Sequence, residues 1–448
     1  MMINVLSHPA VPLVLGSLLI FLIRSKSNLL SFISLTLSII VLLFIMPHEN
    51  TFYIEKGIQI NYFAYSKLSF LFCLVFLIIG IIGKIFSIYR DSYKEKAIIL
   101  LYIASAIFVI FSGDFITLYI FWEIMAITST FIIWSSNSDD SSAAGERYLI
   151  MHLFGGLILL LGIIGLYLNT NDLQIRMLSL DNWYTWSILI GLLLNAGAPP
   201  FSQWLPDAYP EGSYSSTIFL SAYTTKTSVF VLISTFAGNH ILIAIGIYMI
   251  IYGIIYALLE NDIRRILSYS IVNQVGFMIV GIGIGTELSI NGTAAHAFAH
   301  ILYKGLLLMS AGSVLYMINK RKCTDVGGLY KVMPITAICG IIGALAISAF
   351  PLTSGFISKS MIVDASYREG LEFVWLMLLV GSAGVFLHAG IKFPWFVFFH
   401  NDKKIKTEDP PFFMKSAMII MSFLCIIIGI VPESLYALLP YKVGFIPY

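Results

Sequence analysis

Apolar runs of about 20 residues, the length a helix needs to cross a bilayer, recur along the whole chain. They fall at 5–23, 28–46, 66–88, 97–113, 114–134, 147–168, 183–200, 216–237, 241–259, 266–285, 293–318, 333–351, 371–393 and 412–432, with a shorter piece at 354–366. The pattern predicts an all-α polytopic membrane protein of twelve to fourteen transmembrane helices. One stretch has a different period. In 47–65, the run TFYIEKGIQINYF alternates apolar and polar residues around Lys56-Gly57, which predicts a small surface hairpin. Two further stretches interrupt the helical pattern: NAGAPPFSQWLPDAYPEGS at 195–213 and FPLTSGFISK at 350–359. Broken helices at membrane depth persist only where protein buries them or they line a water-filled cavity. In transporters, a pair of interrupted segments in the two halves marks the transport site.

Composition agrees with the pattern. The chain is 58% hydrophobic and 11% charged, with mean hydropathy +0.90. A soluble protein carries about 25% charged residues. We expect one integral membrane domain over 1–448, with N-terminal helices and the hairpin in 1–96, a first repeat at 97–237, a second at 241–393 and a last helix at 412–432. A net charge of +2 is too small to imply a nucleic-acid partner. The four cysteines, Cys73, Cys323, Cys339 and Cys425, form no C-x-x-C pair, so disulfide and metal readings are weak. Nothing has room for a nucleotide or flavin fold, and no cofactor, metal or catalytic site is expected. The N-terminal segment lacks a basic n-region and reads as a first spanning helix. Lys and Arg favour one set of alternate loops, about 16 against about 5. That set includes Arg24, Arg90, Arg147, Arg264, Arg321 and Lys403. The bias predicts an N-terminus outside and the loop before 412 inside; a bacterial inner membrane is the expected location.

Six ionisable residues sit inside the apolar runs: Glu123, Lys226, His296, His300, Lys304 and Lys359. A charge at mid-bilayer costs several kcal/mol, so such residues face a bundle interior and mark an ion or proton path. Glu123 lies near the middle of its run, where a carboxyl can hold and release a proton. Lys226 sits in a polar stripe with Thr224, Thr225, Thr227 and Ser228, although snorkelling to the interface is the competing role. His296, His300 and Lys304 follow at i, i+4 and i+8 and share one helix face. Histidine is the usual proton-relay residue, and a zinc site would need a third ligand. Lys359 follows the second break and either meets exposed carbonyls or anchors to headgroups. His152, His388 and Lys392 are secondary candidates for the same path. Asp207 and Glu211 belong to the interface, and Asp262, Arg264 and Arg265 read as a topology anchor.

Seven segments, in order over residues 100–365, resemble the antiporter-like family. That family comprises large subunits of multisubunit sodium/proton antiporters and the proton-pumping membrane subunits of respiratory NADH:quinone oxidoreductase. The segments are FWEIMAITSTFIIW, ERYLIMHLFGGLILLLGI, NAGAPPFSQWLPDAYPEG, LSAYTTKTSVFVL, LLENDIRRILSYSIVNQVGF, HAFAHILYKGLLLMSAGSV and FPLTSGFISKSMI. The resemblance implies about fourteen helices, two inverted five-helix repeats with a discontinuous helix each, and a midplane chain of buried charges. It assigns Glu123, Lys226, His296, His300, Lys304 and Lys359 to that chain. It also implies partner membrane subunits, with protons and sodium or another monovalent cation as cargo. Asn195 stands where the family has a lysine paired with the glutamate, which questions the first half-channel. Arg264 replaces a lysine in the inside loop. The tail FLHAGIKFPWFVFF is similar to the D-type antiporter subunit. A respiratory proton-pump subunit and a non-conducting scaffold are the alternatives.

Overall fold

The structure is a computed structural model and describes residues 7–45, 49–53, 59–90 and 92–446. The opening helices are α1 (Val11–Leu22) and α2 (Ser27–Phe44). A hairpin of β1 (Glu49–Tyr53) and antiparallel β2 (Gln59–Ala64) follows. Its strands match the expected hairpin, while Lys56-Gly57 lie outside the described residues. Next come α3 (Lys67–Phe86), α4 (Tyr93–Phe111), α5 (Phe115–Trp134), α6 (Asp139–Thr170), α7 (Trp183–Ala196) and the short α8 (Trp204–Ala208). A pair, α9 (Ser216–Ala222) and α10 (Thr224–Phe236), leads to α11 (Ile241–Leu259), α12 (Ile263–Ile284) and α13 (Glu287–Ile318). The chain ends through α14 (Pro334–Ile347), α15 (Ser354–Arg368), α16 (Glu372–Val385), π-helical turns at Phe386–Lys392 and Trp395–Phe399, α17 (Phe412–Ile430) and α18 (Glu433–Tyr436).

Among the described residues, 11 helical segments are long and apolar enough to cross a membrane. Val11–Leu22 and Pro334–Ile347 are shorter apolar helices. Tyr93–Phe111 has 19 residues but begins with Lys94, Glu95 and Lys96. Counted together, these passes fall within the twelve to fourteen expected. The 354–366 piece is α15, which completes the pass begun by α14. Helix α14 has 14 residues, about 21 Å at 1.5 Å per residue, short of the roughly 30 Å hydrocarbon core. Helix α7 also has 14 residues and is continued by α8. The α14–α15 interruption therefore falls within membrane depth, whereas the proline-rich stretch after α7 reaches the face where Asp207 and Glu211 form ion pairs.

The apolar windows of α9–α10 and of α12 are 100% buried, against 33% for α2 and α11, so the former form the centre of the bundle and the latter its rim. Close approach of α11 and α12 depends on Gly246 and Gly276, where a Cβ would lie 2.6 Å and 2.7 Å from the other's carbonyl oxygen. Small residues at a crossing are a common means of membrane helix packing. All four cysteines are buried and unpaired.

Polar contacts sort the loops onto two faces. At one face Arg90 donates to the Ser135 carbonyl (2.8 Å) and pairs with Glu95 (2.8 Å). There too Arg147 meets Asp207 (2.7 Å), Arg321 joins Glu211 (2.7 Å) to Asp262, and Lys331 meets Asp402 (2.8 Å). These belong to the basic set of loops. At the other face the Ile175 N–H bonds the Gly113 carbonyl (2.8 Å), Leu178 N–H bonds Thr235 O (2.7 Å) and Gly238 N–H bonds Ile282 O (2.9 Å).

Asp114 organises that second face. Its carboxylate caps α5 by accepting from the backbone N–H groups of Ile116 and Thr117, both at 2.8 Å. It also accepts from Asn61 N–H in β2 at 2.9 Å. Loss of a cap costs about 1–2 kcal/mol. Asp114→Ala is expected to destabilise the solubilised protein by that amount or more and so lower its melting temperature, and Asp114→Asn to lower it less, because an amide oxygen still accepts. Equal melting curves for wild type and Asp114→Ala would refute the role.

Candidate ion-translocation site

The 216–237 run, expected as one continuous helix, is divided at Tyr223. The cause comes from another helix. The Tyr102 hydroxyl of α4 accepts the Thr224 N–H at 3.2 Å and lies 2.7 Å from Thr224 Oγ1 and 3.5 Å from the Leu220 carbonyl oxygen. It thus stands between a donor and an acceptor that an unbroken helix would join directly. The next carbonyl, Ser221 O, accepts from Lys226 Nζ at 2.7 Å, and Thr225 Oγ1 accepts from the same ammonium at 3.1 Å.

The second break has the same logic. Helix α14 stops at Ile347 and α15 resumes at Ser354. Lys359 Nζ reaches back across the gap to donate to Ile347 O at 2.8 Å, and it lies 4.8 Å from the centre of the Phe277 ring. Ala349 and Leu352 within the gap have φ of +58° and +66°, a backbone region that costs non-glycine residues about 1–3 kcal/mol. Beside Lys359 a cavity of about 600 Å³, lined by Ser360, Asp364, Tyr367 and Trp375, opens to the surface.

Between the breaks runs the histidine stripe of α13. His296 Nδ1 lies 2.9 Å from Ser358 Oγ, next to Lys359, and its Nε2 lies 3.4 Å from the Tyr303 hydroxyl. That hydroxyl donates to Gln274 Oε1 at 3.0 Å. The His300 ring is 6.3 Å from that of His296, and neither of its nitrogens has a hydrogen-bond partner. Lys304 Nζ donates to Leu267 O at 2.9 Å. Lys226, His296, His300 and Lys304 are 0% exposed and Lys359 2%. Burial this complete rules out snorkelling for Lys226, while Lys359 lines the open cavity with its Nζ turned back to Ile347 O.

The remaining sequence candidates are placed differently. Glu123 is half-buried and enters no ion pair among the described residues, so it is not joined to Lys226. Its Oε1 is unpartnered and faces Gly156 of α6, where a Cβ would come within 1.9 Å. His152 is buried between Tyr148 (4.1 Å) and Trp204 (4.6 Å), close to Asn195 at the end of α7. His388 lies in the π-helical turn, with Nδ1 2.9 Å from Gly384 O. Lys392 caps the end of α11 by donating to Leu258 O (2.7 Å), Ala257 O (3.1 Å) and Glu260 O (2.5 Å). No group of His, Cys, Asp or Glu among the described residues could hold a metal ion.

Two residues carry more than the sequence suggested. Tyr102 had no signal, since a tyrosine in an apolar run does not show which helix it enters. Arg264, read as an anchor, is buried and donates to Pro210 O and Ser213 O, both at 2.8 Å, and to Thr217 Oγ1. It pins the proline-rich loop below the first break.

Comparison with known proteins decides the family. Residues 112–387 match the model of the NADH:quinone oxidoreductase/Mrp antiporter membrane family. The chain belongs to this family. It is 30% identical to the L-type subunit of the NADH-quinone oxidoreductase of Campylobacter jejuni over 82% of this chain and 66% of that protein. It is 27% identical to the D-type subunit of the Na(+)/H(+) antiporter of Alkalihalophilus pseudofirmus over 72% of this chain and 70% of that one. The fold matches a chain of the Mrp complex from Dietzia sp. with TM-score 0.86 and 18% identity, covering 96% of this chain and 95% of the other. The chain spans 55–73% of the length of the first curated relatives it matches. The family's relatives include subunits of both antiporters and respiratory membrane complexes, so the chain is a membrane subunit of that class.

Tyr102→Phe tests the origin of the first break. Losing the hydroxyl removes the partner of Thr224 N–H, at about 1–2 kcal/mol. The solubilised variant is expected to melt lower than wild type. An unchanged melting temperature would show that the break closes without cost.

Proposed function

We propose that this chain is the ion-translocating subunit of a multisubunit sodium (or other monovalent cation)/proton antiporter, moving protons along Glu123, Lys226, His296, His300, Lys304 and Lys359. One observation carries the reading. Three lysines and two histidines are sealed in the bundle centre, and among the described residues no carboxylate forms an ion pair with any of them. Their partners are carbonyls, hydroxyls and one aromatic face. Like charges in a poorly screened interior repel strongly. A proton arriving on one group therefore raises the energy of a proton on the next, and the groups titrate as a set. A fold that only needed stability gains little from such a stripe.

In this reading Glu123 takes up a proton from one half-channel. The stripe on α13 passes it toward Lys359, and the cavity beside Lys359 and Asp364 releases it at the face opposite the basic loops. Residues 97–237 and 241–393 act as two repeats, each with its own break and carbonyl-bound lysine. Partner subunits supply the cation path. The positive-inside bias supports an N-terminus outside, and relatives from bacteria support a bacterial inner-membrane location. Similarity of the terminal FLHAGIKFPWFVFF stretch supports the D-type antiporter role over a respiratory proton-pump subunit.

Everted vesicles from an antiporter-deficient host carrying the whole complex provide the test. Glu123→Gln is expected to reduce the sodium-driven pH change on the order of 100-fold at normal assembly. Wild-type activity in that variant would instead favour the non-conducting scaffold.

A further inference from the structure

The relay just proposed has a gap. Glu123 has an unpartnered carboxyl oxygen at Gly156, and no cation among the described residues pairs with it. Lys226 lies on a different helix, behind the broken backbone at Tyr223. A proton leaving the carboxyl has to cross the space between them.

One turn before Gly156 on α6 is His152, on the same face and about 6 Å away. It is 1% exposed, and neither ring nitrogen completes a hydrogen bond, although the ring is turned toward the Asn195 side chain. Asn195 lies beside it with its own Nδ2 unpartnered. Buried polar atoms are nearly always satisfied in native proteins, and three orphans in one pocket mark a site that takes up water or protons. Two tyrosines in this cluster lead onward: Tyr148, which contacts His152, and Tyr209, which contacts Tyr148 and Trp204. Tyr148, its ring tilted against His152, has its hydroxyl 2.9 Å from Ser129 Oγ of α5 and turned toward the Thr224 side chain. Tyr209 also directs its hydroxyl toward Thr224, without completing a hydrogen bond. Thr224 Oγ1 is 2.7 Å from the Tyr102 hydroxyl, and Thr225, the next residue, holds Lys226 Nζ at 3.1 Å. Hydroxyls from α4, α6 and the loop after α8 thus converge where the helix is broken, next to the lysine.

We propose that His152, with Asn195 orienting it, is the proton carrier that joins Glu123 to Lys226 through the hydroxyls around Thr224. The step is a proton exchange and needs no other reactant. A proton leaving Glu123 crosses by bridging water to one ring nitrogen, and the proton on the other nitrogen leaves toward the tyrosine hydroxyls. The carboxylate stays behind until it is reprotonated from its half-channel. The idea rests on the translocation reading above and fills its first half.

The test uses the whole complex in everted vesicles, with cation-driven proton movement as the readout and assembly checked for each variant. His152→Gln is expected to lose transport at least tenfold. Adding Asn195→His to His152→Gln is expected to recover a large part of it, because a titratable ring returns to the same pocket. A packing role for His152 would not be rescued this way. Tyr148→Phe keeps the ring and removes only the hydroxyl, and it too is expected to slow transport, which keeps the idea testable should His152→Gln fail to assemble. Wild-type rates in His152→Gln or in Tyr148→Phe would overturn the proposal, as would a loss in His152→Gln that Asn195→His leaves unrelieved. If Glu123→Gln is inactive while these variants are normal, only this inference falls. If Glu123→Gln is also normal, the translocation reading falls with it.

Discussion

A positive side chain can live in the middle of this bundle because the backbone is interrupted beside it. Lys226 and Lys359 each donate to a carbonyl that an intact helix would have kept, Ser221 O and Ile347 O. The arrangement solves two problems together. An orphan carbonyl at membrane depth costs free energy, and so does an unpaired ammonium. Each satisfies the other. A carbonyl dipole is a weaker partner than a carboxylate, so the lysine is held in place without being locked into one charge state by an ion pair. On α13 the partners are also uncharged but come from unbroken backbone or a side chain, with Lys304 on Leu267 O of α12 and His296 on Ser358 Oγ.

The charges that do pair with opposite charges lie elsewhere. Arg321, Glu211 and Asp262 bind three loops at one face, and Arg147 with Asp207 ties helix α6 to one of them. Buried Arg264 ties the proline-rich loop to α12. Carboxylate–guanidinium pairs thus brace the end of the bundle, while the centre keeps its cations free of them. That separation lets the interior change charge without unlocking the frame. Glu123 is the exception on the carboxylate side. It stands on a half-buried face of α5, alone, where a proton can enter the sequence of groups.

Much of this was legible in the chain. Runs near 20 residues located the passes closely, as in 114–134 against Phe115–Trp134 and 241–259 against Ile241–Leu259, because hydrocarbon length and helical rise leave little freedom. The spacing of His296, His300 and Lys304 was enough to put them on one face. The breaks at 195–213 and 350–359 were visible through proline and glycine. The break at Tyr223 was not, because its cause is a hydroxyl from Tyr102, distant in the sequence. For the same reason the sequence did not show that Asn195, at the end of α7, lies beside His152 of α6. Lys392 shows the reverse. Its position near an apolar run suggested the path, but its ammonium caps the carbonyl end of α11, a role set by where that helix stops.

The most direct test of the buried stripe as a proton path is a cryo-electron microscopy map of the whole complex at a resolution that shows ordered water. His300 has two unpartnered ring nitrogens in the centre of the stripe. Water is expected at both of them, in a file continuing toward Lys226 on one side and Lys359 on the other. A dry His300, packed only against apolar atoms in a map that shows water elsewhere at similar depth, would contradict the proton path.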